Sequence, residues 1–212
     1  VFFNSLILQQ YQNNTFFLSR GRYYLKVYNY VSEKIVIDNI KIDDVIRIGE
    51  PYGSIHKIPG KIDLLEFDKG LECYDNDCEN KGGAVRPDES VDIYDKGDGE
   101  YAILFEMFDK MNYTVQLAPS SSRKYTVTIP YECYETSACD ALISLHIYDR
   151  DYGFISLNSY TLNEKDTVCS FVISIPEKVG DNSSGYPVLI LEHSWGDKVF
   201  IKELIVEETN NS

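Results

Sequence analysis

The sequence predicts an all-β protein, an antiparallel β-sandwich of jelly-roll or Ig-like type built as two small domains. Three observations point there. Its apolar runs are short, about five to nine residues each, and rich in Val, Ile, Tyr and Phe. Gly, Pro, Asn, Asp or Ser bounds each run, which is the punctuation of strands joined by turns. Tyr contributes 17 of the 212 residues against two Met and one Trp, a balance that suits half-buried strands where the ring packs and the hydroxyl stays wet.

Taken in order, residues 23–30 alternate imperfectly and residues 34–42 alternate well through Ile35, Ile37, Ile40 and Ile42. Further strands are expected at 61–67, 113–117, 124–129, 141–148, 154–157, 168–175, 188–192 and 199–206. Residues 100–111 carry Tyr101, Leu104, Phe105 and Phe108 at helical spacing, but the run also fits a buried strand, and strand is the reading adopted. The pattern of 24–44 recurs at 188–208 with strand, polar turn and acidic ending in the same order, as two related units would show. Pro119-Ser120-Ser121-Ser122 is the best linker, which divides the chain into domains 1–118 and 119–212. A single jelly roll with long loops between residues 48 and 100 is the other arrangement that fits.

The formal net charge of −14 argues against nucleic acid and anionic membranes, which are bound through a basic footprint. No run approaches the ~20 apolar residues of a membrane-spanning helix. The apolar opener has no basic flank or cleavage-type ending and no initiator Met, so the chain is read as a processed product or an excised piece.

Asn13, Asn112, Asn182 and Asn210 begin Asn-x-Ser/Thr sequons, and Asn182 stands in a loop-like Gly-Asp-Asn-Ser-Ser-Gly stretch. Cys73 with Cys78, and Cys133 with Cys139, are spaced to close short loops as disulfides, leaving Cys169 as a buried thiol in an apolar run. Zinc is disfavoured because no His lies near either pair. Sequons and disulfides together place the chain outside the cell or on its surface.

Two acidic groups could supply oxygen ligands to Ca²⁺: Asp75, Asp77 and Glu79 between and beside two cysteines, and Asp92, Asp95 and Asp98 further on. Neither follows the EF-hand pattern. Catalytic motifs are absent: there is no nucleophile elbow, phosphate-cradling loop or zinc-protease helix, and the chain is read as non-enzymatic. His146 lies in an apolar strand run, where a core or face position is the default.

Trp195, the one Trp, stands with Asp197 at the expected tip of a closing hairpin; its ring could stack on a sugar while Asp197 accepts hydroxyls. That hairpin (apolar strand, Gly-Asp turn, acidic-ended strand) resembles the last strands of carbohydrate-binding-module jelly rolls. The resemblance implies a Ca²⁺-stabilised sandwich that binds glycans. The leading expectation is nevertheless a structural surface glycoprotein subunit that assembles into homo-oligomers or polymers by β-strand addition. Its donor strand would carry Phe2, Phe3, Leu6 and Leu8. The alternative is a lectin-like glycan-binding module centred on Trp195.

Overall fold

The computed structural model describes residues 49–69, 80–86, 89–119, 123–136, 139–163, 167–180 and 185–209. Strands dominate, as the short apolar runs require. In chain order they are β1 (His56–Ile58), β2 (Gly60–Asp63), β3 (Ile93–Gly97), β4 (Glu100–Phe105), β5 (Lys110–Leu117) and β6 (Lys124–Cys133). They continue with β7 (Ala141–Asp149), β8 (Gly153–Leu162), β9 (Val168–Ser174), β10 (Val188–Gly196), β11 (Val199–Ile201) and β12 (Glu203–Glu208). A 3₁₀ turn, Leu64–Glu66, follows β2 and is capped by the Asp63 carboxylate, which accepts the Leu65 amide at 3.0 Å.

Two sheets result. One runs β1-β5-β10-β7-β8; the other runs β2-β12-β6-β11-β4-β3, with β9 paired to the free side of β6. Strand periodicity shows why they stack. On β6, Tyr125, Val127, Ile129 and Tyr131 are buried while their neighbours are at least partly open, and on β9 Cys169, Phe171 and Ile173 alternate the same way. These side chains meet Met111, Tyr113 and Val115 of β5, Ile143, Leu145 and Ile147 of β7, and Leu189 and Leu191 of β10 in one continuous core.

Residues 100–111 are strand at both ends rather than helix, but not one strand. β4 stops at Phe105, a turn follows in which Asp109 accepts the Glu106 amide at 2.6 Å, and β5 begins at Lys110. The two halves enter different sheets.

The division at 118/119 is overturned. β5, from before Pro119, lies between β1 and β10; β4 pairs with β11, and β2 with β12. Strands from both sides of the proposed linker thus pair within each sheet, and all of them belong to one unit beginning at Ile46. A serine-rich stretch marks only a loop when the flanking strands find their partners across it. The described residues between 49 and 209 form one sandwich, as the alternative had it, although β1, β2 and β3 interrupt the long loops it placed between residues 48 and 100. The earlier copy of the recurring pattern, 24–44, lies outside the described residues.

The closing hairpin is also corrected. β10 pairs with β5 and β7, whereas β11 pairs with β4 and β6, so the chain crosses between sheets at residues 196–198 instead of folding back on itself. Gly196 makes the crossing possible. Its φ of 104° lies in the left-handed region, and a Cβ there would stand 2.1 Å from the Asp140 carbonyl oxygen.

Candidate functional site

Each strand of the five-stranded sheet sends alternate residues away from the core. Cross-strand register assembles these into rows. One row is Asn112 on β5, Ile190 on β10, His146 on β7 and Ser156 on β8; the next is Lys110, Glu192, Ser144 and Ser159. Beyond the second row, Trp195 stands opposite Leu142 and Thr161, and beyond the first, Val188 stands opposite Thr114 and Tyr148, with Phe154 alongside.

The rows have an exposed margin and a deep middle. Trp195 and Phe154 are each 44 % exposed, and Ser156, Ser159 and Thr161 on β8 are open. In the middle, Asn112, Thr114, Ser144, His146 and Glu192 are all buried although they point away from the core. The Ser144 hydroxyl is shared with Ser159 at 2.8 Å and Ser194 at 2.7 Å, a chain of three hydroxyls running from β8 to β10. The Glu192 carboxylate lies 3.3 Å from the Lys110 ammonium and 3.5 Å from His146 Nε2. His146 stacks against Phe154 with ring centroids 4.7 Å apart, and its Nδ1 has no hydrogen-bond partner.

Residues 142 to 148 of β7 carry this face from the Trp195 end to the Phe154 end. Six strand residues correspond to about 20 Å. Two exposed rings that far apart, joined by hydroxyl, amide, carboxylate and imidazole groups, can hold an extended polyhydroxylated chain: rings stack on its apolar faces, and polar groups exchange hydrogen bonds with its edges.

A second aromatic group offers no such surface. Tyr94, Tyr134 and Phe200 on the other sheet pack edge to face, with both tyrosine rings 5.5 Å from Phe200, and the Lys96 ammonium covers Phe200 at 3.9 Å.

The residues singled out by sequence fare unevenly. Trp195 is an exposed ring at the edge of the outward face. Asp197 is exposed beside it, and one of its carboxylate oxygens accepts the Asp140 amide at 3.0 Å, bracing the crossing between sheets. Cys133 and Cys139 form a disulfide with Cα atoms 5.6 Å apart, and Cys169 is a buried free thiol whose burial pushes its pKa up to about 11.

The second acidic group is not brought together. Asp92 is buried and accepts the Lys81 amide, Asp95 accepts the Gly97 amide at 2.8 Å, and Asp98 takes φ 53° in the β3–β4 turn. These carboxylates serve the hairpin and its flank. Among the described residues no three His, Cys, Asp or Glu side chains cluster as metal ligands. Asn112 is corrected as a glycan acceptor: in the middle of β5 it is 6 % exposed, which leaves no room for an attached oligosaccharide. Asp75, Asp77, Glu79, Cys73, Cys78, Asn13, Asn182, Asn210 and the donor residues Phe2, Phe3, Leu6 and Leu8 lie outside the described residues.

Glu192, Ser144, Lys110 and Phe154 escaped the sequence reading. Their signal was present: Ser144 and His146, and likewise Glu192 and Ser194, fall two residues apart within otherwise apolar strands, the spacing of one sheet face.

No family model matches the chain, and no curated protein matches it. Among solved structures it is similar to a family 4 carbohydrate-binding module, at 15 % identity and TM-score 0.37, over 66 % of this chain and 99 % of that one. Its likeness is to carbohydrate-binding modules. A family 28 module specific for non-crystalline cellulose is similar at 12 % identity and TM-score 0.37, over 77 % of this chain and 97 % of that one. A ruminal GH26 endo-β-1,4-mannanase is similar at 17 % identity and TM-score 0.40, over 75 % of this chain. The chain spans 28 % of that enzyme's length and 20 % of a GH115 4-O-methyl-α-glucuronidase to which it is also similar. Among the described residues no helix is long and apolar enough to cross a membrane.

Proposed function

We propose that this chain is an extracellular glycan-binding β-sandwich module that holds an oligosaccharide along the outward face of the five-stranded sheet. One observation carries the reading. A sheet face buried only for stability is apolar, because a buried polar group costs free energy unless it is hydrogen-bonded. This face instead buries Ser144, His146 and Glu192 in adjoining rows and ends in exposed Trp195 and Phe154. Hydroxyl-rich ligands match that composition: their hydroxyls both donate and accept. The Cys133–Cys139 disulfide supports an oxidising compartment.

In this reading Trp195 and Phe154 are the stacking platforms, and the Ser144–Ser159–Ser194 hydroxyls read sugar edges between them. Glu192 and His146 line the floor. No chemical step is assigned to any of them; the role is binding.

Affinity electrophoresis tests it, with glucomannan, xylan and non-crystalline cellulose as the panel. The protein should be retarded by at least one polymer. Trp195→Ala and Phe154→Ala should each weaken retention by about tenfold, the scale of losing one ring contact, with unchanged thermal melting. No retardation by the panel, or retention indifferent to both variants, overturns the reading.

A further inference from the structure

The buried carboxylate on the outward face does more than accept hydroxyls. Glu192 is 8 % exposed, and the one cation within its reach on β5, Lys110, has a side chain 39 % exposed. Lys110 is therefore the charge that an incoming ligand meets, and Glu192 is the charge that already occupies it, at 3.3 Å. On the other side of Glu192 stands His146 Nε2 at 3.5 Å, with Nδ1 of the same ring buried and unpartnered. The arrangement places a carboxylate between two nitrogen-bearing side chains at the centre of the rows described above.

We propose that Glu192 sets the charge selectivity of this face, so that it takes uncharged oligosaccharides and refuses those bearing uronates. The inference rests on the glycan-binding reading. A uronate approaching Lys110 has two courses. It can share the ammonium with Glu192, which brings two carboxylates together, and like charges so placed disfavour ionisation of both. Or it can displace Glu192, which leaves a buried carboxylate without the Lys110 ammonium, and a buried charge that loses its partner is costly. A neutral hydroxyl meets neither obstacle: it donates to Glu192 and leaves the pair intact. His146 Nε2, 3.5 Å away on β7, flanks the Glu192 carboxylate on the side opposite Lys110.

The protein as a whole also repels anions, since its net charge is −14. That long-range repulsion is screened by salt, with a Debye length of about 3 Å at 1 M. The local effect of a partly buried pair is screened much less, so salt separates the two.

The probe is glucomannan, before and after oxidation of a fraction of its primary hydroxyls to uronates. The wild-type protein should be retained at least about tenfold more strongly by the neutral polymer, and the preference should persist near 1 M salt. Glu192→Gln, checked for an unchanged melting profile, should reduce the preference several-fold because Lys110 is then free to meet a uronate. A preference that vanishes at high salt, or one that folded Glu192→Gln leaves intact, overturns the inference while the glycan-binding reading stands. Should Glu192→Gln fail to fold, the salt dependence of the wild-type protein decides. No retention by glucomannan, xylan or non-crystalline cellulose removes both readings together.

Discussion

Asp140 and Asp197 hold each other twice: the Asp140 amide donates to the Asp197 carboxylate at 3.0 Å, and the Asp197 amide donates to the Asp140 carbonyl at 3.0 Å. The pair fastens the start of β7 to the point where the chain leaves one sheet for the other. Trp195, Gly196 and His193 all sit within four residues of Asp197, so the exposed ring is aimed by a crossing whose geometry these contacts impose.

Gly196 and Asp197 should therefore be separable by cost. Gly196→Ala forces a Cβ against the Asp140 carbonyl at a φ that L-residues rarely adopt, and should destabilise by about 3 kcal/mol or more. Asp197→Ala loses one side-chain hydrogen bond at an exposed turn and should cost about 1 kcal/mol. Urea unfolding measures both. Equal effects would mean that the crossing is not constrained by the backbone at Gly196.

Arg86 should behave as a buried fastener. Its guanidinium lies between the Phe67 and Tyr52 rings, 3.5 and 4.1 Å from their centroids. It also donates to the Leu65 and Phe67 carbonyls at 3.0 and 2.8 Å. Arg86→Ala should lose about 2–3 kcal/mol, because two carbonyls lose a charged donor and two rings lose a stacking partner. Arg86→Lys should recover little of it: an ammonium can neither stack as a plane nor reach both carbonyls in a fork. Full rescue by Lys in chemical denaturation would show that charge alone matters here.

His193 gives the protein an acid-sensitive point. The residue is fully buried on β10, with Nε2 paired to the Asp197 carbonyl at 2.8 Å and Nδ1 unpartnered. Burial holds its imidazole below the ordinary value of 6.5, with the Asp197 carbonyl opposing. The unfolded chain then takes up the proton first. Stability from this group is complete above about pH 6.5 and declines as pH falls below it, by at most about 1.4 kcal/mol per pH unit. Burial acts on Asp68 in the opposite sense, raising its carboxyl pKa, so its contribution is full below 3.8 and is lost as pH rises through the raised value. Subtracting the pH–stability curve of His193→Leu from that of the wild type isolates the histidine. A difference that stays flat between about pH 8 and 5 would sink this assignment.

Much of the fold was legible locally. The strands at 113–117, 124–129, 141–148 and 188–192 lie within observed strands, and 168–175 overruns its strand by one residue, because β-branched and aromatic runs between turn residues have few other stable uses. The pairing of Cys133 with Cys139 and the free thiol at Cys169 were legible too, since a short loop brings its own ends together. Polar residues two apart in the β7 and β10 runs were visible as a pattern but carried no meaning alone: period 2 says that Ser144 and His146 share a face, not which strand lies beside them.

By itself, then, the sequence determined that this protein is built of strands, that it has an acidic surface and that Trp195 stands beside a turn. Those properties follow from composition and from neighbours along the chain. Tertiary structure alone decided that β5 lies beside β10, that residues 196–198 cross between sheets, and that Glu192 meets both Lys110 and His146. The physical reason is that strand pairing is non-local. A hydrogen-bonded ladder can join any two edges, and which edges meet is settled only when all the inward faces are buried in one core.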